Sequence, residues 1–114
     1  MPVRSLGTAV LVWPDARVVD QAARRWAEDL TRAETGVVAV GYFGSYARGD
    51  WGVGSDLDVV VIVEHSPEPF ERRAAPLDAT QLPVPADVLV YTRAEWEKLP
   101  ARPREVVWLK GSPS

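Results

Sequence analysis

Cysteine and asparagine are absent from the 114 residues, and there is one histidine and one methionine. Without cysteine there can be no disulfide and no thiolate metal site. Lysine is scarce, at Lys98 and Lys110 only, and the other basic residues are arginine. The missing asparagine and the proline-rich loops suit a thermophile, but the usual hyperthermophile signal is more Lys and Glu, and a GC-rich genome explains the arginine and alanine equally well. The net charge of −3 lacks the basic footprint that drives binding to free nucleic acid. No apolar run approaches the length of a membrane span, and the first residues lack a charged-then-apolar leader. A soluble, cytoplasmic chain is expected.

Apolar residues are 46% of the chain and charged residues 25%, an ordinary globular balance. This length suits one domain over 1–114, with one core and no internal repeat. Thr8 to Trp13 is a short apolar run closed by Pro14-Asp15 and reads as an edge strand that could extend a sheet or pair with a second copy. From there to about Glu34, Val19, Ala22, Ala23, Trp26, Leu30 and Ala33 recur at helical spacing and predict a core-facing stripe. Asp20/Arg24, Arg24/Glu28, Arg25/Asp29 and Glu28/Arg32 lie four apart on the other face. Gly36 is expected as the C-terminal cap.

Val37 to Phe43 is apolar nearly throughout, which predicts a strand buried on both faces. A Gly- and Trp-containing loop, Arg48 to Ser55, leads to a β-branched run, Asp56 to Val63. His65 to Pro85 holds five prolines and reads as loop, with a short helix around Pro69 to Ala74. Ala86 to Tyr91 is a fourth strand. Thr92-x-x-Glu95 is a capping box opening a helix with Trp96 and Leu99, stopped by Pro100 and Pro103. Val106 to Leu109 is expected to pair weakly at a sheet edge, with Gly111 to Ser114 frayed.

Two carboxylates on one face at the start of an apolar strand, Asp56 and Asp58, repel each other unless something neutralises them. A divalent cation does so, and all-carboxylate donors suit Mg²⁺ or Mn²⁺. Asp87 opens another apolar strand, and if the two strands are neighbours in register the three acids converge. Gly44-Ser45 lies where a strand gives way to a turn, and exposed amides with a hydroxyl at such a junction favour phosphate oxygens.

The stretch Gly44-Ser45-Tyr46-Ala47-Arg48-Gly49, with Ser55-Asp56-Leu57-Asp58 after it, resembles the signature of the polymerase beta-type nucleotidyltransferases. In that signature Gly-Ser precedes Asp-x-Asp by ten intervening residues, as it does here. The resemblance covers Val37 to Tyr91, and the third acid at Asp87 is similar to the minimal, antitoxin-type branch. It implies an α+β palm, with a mixed sheet of about four strands and helices packed on one face. It also implies catalysis and metal binding by Asp56, Asp58 and Asp87, with a pair of Mg²⁺ ions and ATP or another nucleoside triphosphate held by Gly44, Ser45 and Arg48. Asp87 could take the proton of an acceptor hydroxyl. This length leaves no room for an acceptor-binding domain, so the resemblance points to a helical protein partner, a HEPN-type toxin, as the acceptor.

Plainer readings stand beside these. Asp56 and Asp58 could be a solvated strand start, Asp87 a turn residue after Pro85, and Ser45 a helix cap. Trp51 is expected to pack over its loop, the Trp26 stripe to be core, and His65 and the Arg72-Arg73 pair to be surface. A catalytically silent masking module and a small-molecule nucleotidyltransferase are the alternative functions.

Overall fold

The computed structural model describes residues 13–113. The expected strand at Thr8 to Trp13 falls outside them except for Trp13, whose indole donates to the Tyr46 hydroxyl at 3.1 Å. Helix α1 spans Ala16–Ala33. The side chain of Asp15 caps it by accepting from the Val18 amide at 2.9 Å, satisfying one of the donors a helix start leaves open. Val19, Ala23, Trp26 and Ala27 are its buried face, so the Trp26 stripe is core, while Ala33 is exposed. Of the expected surface pairs, Asp20–Arg24 and Glu28–Arg32 form ion pairs.

Gly36 is not the helix cap. Glu34, in an extended conformation, ends α1 with its amide on the Leu30 carbonyl. Gly36 already belongs to the strand approach, its carbonyl accepting from the Glu64 amide at 2.9 Å. Once Glu34 has turned outward, no left-handed residue is needed.

Strand β1 is Val37–Phe43, followed by a single turn of helix, α2, over Ser45–Arg48. Strand β2 is Leu57–Val63, and the short helix α3 is Phe70–Arg73. Strand β3 is Ala86–Thr92, α4 is Arg93–Lys98, and β4 is Val107–Gly111. The expected capping box opens α4, with Thr92 and Glu95 each bonding the other's amide. The sheet order is β3-β2-β1-β4, with β1 antiparallel to both neighbours and β2 parallel to β3. β4 runs further than the sequence suggests, because Gly111 pairs with Ala39 on β1 and is not frayed.

The two faces differ. Leu57, Val59 and Val61 alternate with Asp58, Val60 and Ile62 along β2, as the period of a strand requires. The first set packs with Val40, Tyr42 and Val90 under the buried face of α1. The second shares its face with Ala39 and is covered by Trp96 from α4, flanked by Phe43, Tyr91, Val106 and Trp108. The mixed four-stranded α+β sheet is as expected, but its helices divide between the faces: α1 takes one and α4 the other. β1 lies between two strands and has both faces covered, which explains its unbroken apolar run. Gly41 on β1 leaves room for Trp108 opposite, because a β-carbon there would lie 2.8 Å from the indole. Among the described residues no helix is long and apolar enough to cross a membrane.

Candidate active site

Asp56, Asp58 and Asp87 belong to the face that α1 does not cover. Asp58 and Asp87 are directly paired across the parallel β2–β3 ladder, and Phe43 faces Asp58 from β1. The Leu57 amide reaches the Pro85 carbonyl at 2.9 Å, tying the starts of β2 and β3 together. That pairing supplies the strand order on which the sequence made convergence conditional: it sets Asp87 beside Asp58, and Asp56 precedes β2.

Gly44 closes β1 and opens α2 with φ 78° and ψ −149°, a backbone region open essentially to glycine alone. A β-carbon on it would overlap the Asp58 carboxylate. Ser45 begins α2, and its hydroxyl does not cap the helix. No hydrogen bond of that hydroxyl is formed among the described residues, and it faces the same cleft. Arg48, at the end of α2, is exposed and pairs with Asp50 at 3.2 Å.

The loop between the half-motifs is held from beneath by Tyr46, which is buried and stacks on Trp51 with ring centroids 5.4 Å apart. Trp51 therefore packs over its loop, as expected. The Tyr46 hydroxyl points to the Ser55 carbonyl at 3.5 Å, and the Ser55 hydroxyl accepts from the Gly52 amide at 2.8 Å. This anchorage fixes the residue before Asp56.

A cleft of about 780 Å³ joins Phe43, Gly44, Ser45, Arg48, Asp56, Asp58 and Asp87. The segment between α4 and β4 also lines it, bringing Arg102, Arg104 and Glu105. All six residues singled out from the sequence thus meet in one cavity. Arg102 and Arg104 were missed, because no short-range pattern links them to a motif more than forty residues earlier. The one available signal was a pair of arginines flanking a proline just after a helix stop. A second cavity, of about 540 Å³, lies between α1 and the β2–β3 crossover and shares no lining residue with the first. His65 and the Arg72-Arg73 pair line this second cavity. Arg73 is not a solvated charge; its side chain is 9% exposed and pairs with Glu95.

Asp58 is half-buried, and its carboxyl is pushed above the usual carboxylate range by burial first, then by Asp87 and Asp56, with Arg48 opposing. A carboxylate destabilised by desolvation and two like charges is a donor set short of positive charge, and oxygen-ligated divalent cations fit it. Among the described residues no three acidic or imidazole side chains stand in ligating geometry. The aspartates are gathered at one place but not closed around a point.

A Gly-Ser turn against Asp58, with Asp56 and Asp87 beside it at one end of a β3-β2-β1-β4 sheet, is the arrangement of a nucleotidyl-transfer palm. The chain belongs to the nucleotidyltransferase domain family, whose profile matches residues 23–110. It is an enzyme of the nucleotidyltransferase class. The fold is similar to that of a Sulfolobus solfataricus protein assigned as a nucleotidyltransferase, solved at 1.40 Å resolution. That likeness has a TM-score of 0.65 at 20% identity and covers 82% of this chain and 80% of the other. A chain from the crystal structure of a toxin–antitoxin with AMP-PNP is more distant, with a TM-score of 0.46 at 18% identity, covering 78% of this chain and 73% of that one. No curated protein matches the chain significantly.

Proposed function

We propose that this chain transfers a nucleoside monophosphate from a metal-bound nucleoside triphosphate to a hydroxyl acceptor, with the cleft at Asp58 as its active site. The observation that carries the reading is the position of Asp58, pressed against Gly44 on one side and paired with Asp87 on the other. Asp56, Asp58 and Asp87 would hold divalent cations, Mg²⁺ in the first instance. When bound, these neutralise the carboxylates and the phosphate oxygens and stabilise the charge on the leaving group.

The chain's own groups then position the reactants. Gly44 lets the triphosphate approach the backbone closely, and the Ser45 hydroxyl donates to a phosphate oxygen. Asp87, the exposed member of the Asp58–Asp87 pair, accepts the acceptor's proton. The acceptor oxygen forms a new bond to the α-phosphorus, the bridge from that phosphorus to the β-phosphate oxygen breaks, and pyrophosphate leaves with the electron pair. Holding these groups in line supplies much of the rate enhancement.

The finer reading is AMP from ATP, placed on a hydroxyl of a protein partner such as a HEPN-type toxin. It rests on the resemblance of Gly44-Ser45, Asp56-x-Asp58 and Asp87 to the minimal antitoxin-type branch. A silent masking module is the second reading, favoured by the open spacing of the three acids.

Calorimetric titration of ATP with and without Mg²⁺, on the wild type and on Asp58→Ala, separates the two. Binding by the wild type only with Mg²⁺, lost in the variant, supports the enzyme. Absence of binding for all four ribonucleoside triphosphates overturns it in favour of masking.

A further inference from the structure

Two stretches of the chain line the cleft. One carries Asp56, Asp58 and Asp87 with the Gly44-Ser45 turn, and the other is the segment from Ala101 to Glu105 between α4 and β4. That segment is fixed at both ends. Leu99 closes α4 with its amide on the Trp96 carbonyl, and Val106 and Trp108 pack on the covered face of the sheet beside Trp96. Pro100 and Pro103 restrict the backbone between these anchors. Arg102 and Arg104 flank Pro103, and both are exposed toward the cleft.

Neither arginine is neutralised. The Arg102 guanidinium lies over the Trp96 ring, 5.8 Å from its centroid, and makes no ion pair among the described residues. Arg104 forms neither an ion pair nor a hydrogen bond among them. Arg48, the cleft's other cation, is engaged with Asp50. The cleft lining thus holds four carboxylates, at Asp56, Asp58, Asp87 and Glu105, and two guanidinium groups without an ion pair, both on the segment that also carries Glu105. A polyanion entering it meets repulsion from these carboxylates and needs the cations of the lining to offset it. Guanidinium forks match phosphate oxygens in pairs, and the ring beneath Arg102 limits the freedom it would lose on binding.

We propose that Arg102 and Arg104 form the triphosphate-binding wall of the cleft, gripping the phosphates beyond the α-phosphorus and so the departing pyrophosphate. This rests on the nucleotidyl-transfer reading and deepens it. The two arginines are positioning residues, and the selectivity they confer is for chain length of phosphate, not for the base.

The test uses calorimetry with inorganic tripolyphosphate, Mg·ATP and Mg·AMP as probes, on the full chain and on Arg102→Gln, Arg104→Gln and the double variant. Charged hydrogen bonds of this kind correspond to roughly tenfold in affinity each, so the double variant should bind tripolyphosphate and Mg·ATP roughly a hundredfold more weakly. Mg·AMP binding should be unchanged, and Lys at either position should restore only part of the loss. Tryptophan emission gives a second reading: tripolyphosphate should shift it in the wild type by engaging the guanidinium that lies over Trp96, and not in Arg102→Gln. Wild-type affinity for tripolyphosphate and Mg·ATP in the double variant would overturn the proposal and leave the active-site reading standing. An equal loss for Mg·AMP would also overturn it, since the arginines would then serve the nucleoside or the fold. If the wild type binds no Mg·ATP at all, the active-site reading fails and the proposal fails with it.

Discussion

Gly44 and Asp58 occupy almost the same space: the position a β-carbon would take on Gly44 is filled by the carboxylate of Asp58. The two halves of the sequence motif are therefore in contact, not merely near each other. Glycine is required at 44 twice over, by its backbone angles and by its neighbour. Gly44→Ala should cost about 1–3 kcal/mol from backbone strain alone, with a further penalty for displacing Asp58. In an Asp58→Ala background the second penalty should disappear, so the two substitutions are non-additive. Urea unfolding of the four proteins measures this, and equal costs in both backgrounds would show that the contact carries no energy.

Asp58 also sets a pH dependence. Its carboxyl is raised by burial and by Asp87 and Asp56, so ionising it opposes folding. That cost is complete above its folded pKa and vanishes below the unfolded value, near 3.9. Asp58→Asn should thus raise stability at neutral pH by about 0.5 kcal/mol, screened as befits a half-exposed site. The advantage should fade below about pH 4. Melting curves at pH 7 and pH 3.5 test it, and a destabilised variant at neutral pH would mean Asp58 has a structural partner.

Glu95 behaves in the opposite sense. The Arg73 guanidinium, together with the Thr92 amide, holds its carboxyl down at about 2. Its contribution is present above the unfolded pKa, near 4.3, and is lost as pH falls through about 2. Glu95→Gln should cost about 1 kcal/mol at pH 7, since the pair is partly exposed and Gln can still cap α4. The difference from wild type should close toward pH 2. A constant difference from pH 7 to pH 2 would assign the loss to packing.

Tyr46 offers a separation of fold from site. Tyr46→Phe removes a hydroxyl shared by Trp13 and Ser55 and should cost about 1 kcal/mol. Because the ring still stacks on Trp51, triphosphate affinity should change less than threefold, an expectation of about half a kcal/mol. Tyr46→Ala removes the stack as well and should weaken triphosphate binding by releasing the loop before Asp56. Nucleotide titration of both variants decides whether ring or hydroxyl holds the loop.

Strands β1, β2 and β3 were legible because β-branched runs bounded by turn residues depend on nearby residues only. Asp56, Asp58 and Gly44-Ser45 were legible because their spacing is local. The pairing of Asp58 with Asp87 was not, since the crossover from Glu64 to Pro85 says nothing about which strand lies beside which. Gly36 misled because a glycine after a helix is commonly its cap, whereas here Glu34 ends α1 first. The end of β4 was read as frayed because its sequence cannot reveal that β1 offers a free edge to it. Arg102 and Arg104 stayed hidden for the same reason, as they reach the cleft only by the path of the chain between α4 and β4.

The alternation along β2 divides labour at the scale of single residues. Leu57, Val59 and Val61 lie on the α1 side, while Asp58 lies between them on the other. Adaptation could therefore revise one set without disturbing the other, as though two texts were interleaved in one line. A one-residue insertion within the strand, by contrast, would exchange the texts, burying acid under α1 and turning valine to the cleft. Changes in the length of β2 are thus confined to those that preserve parity.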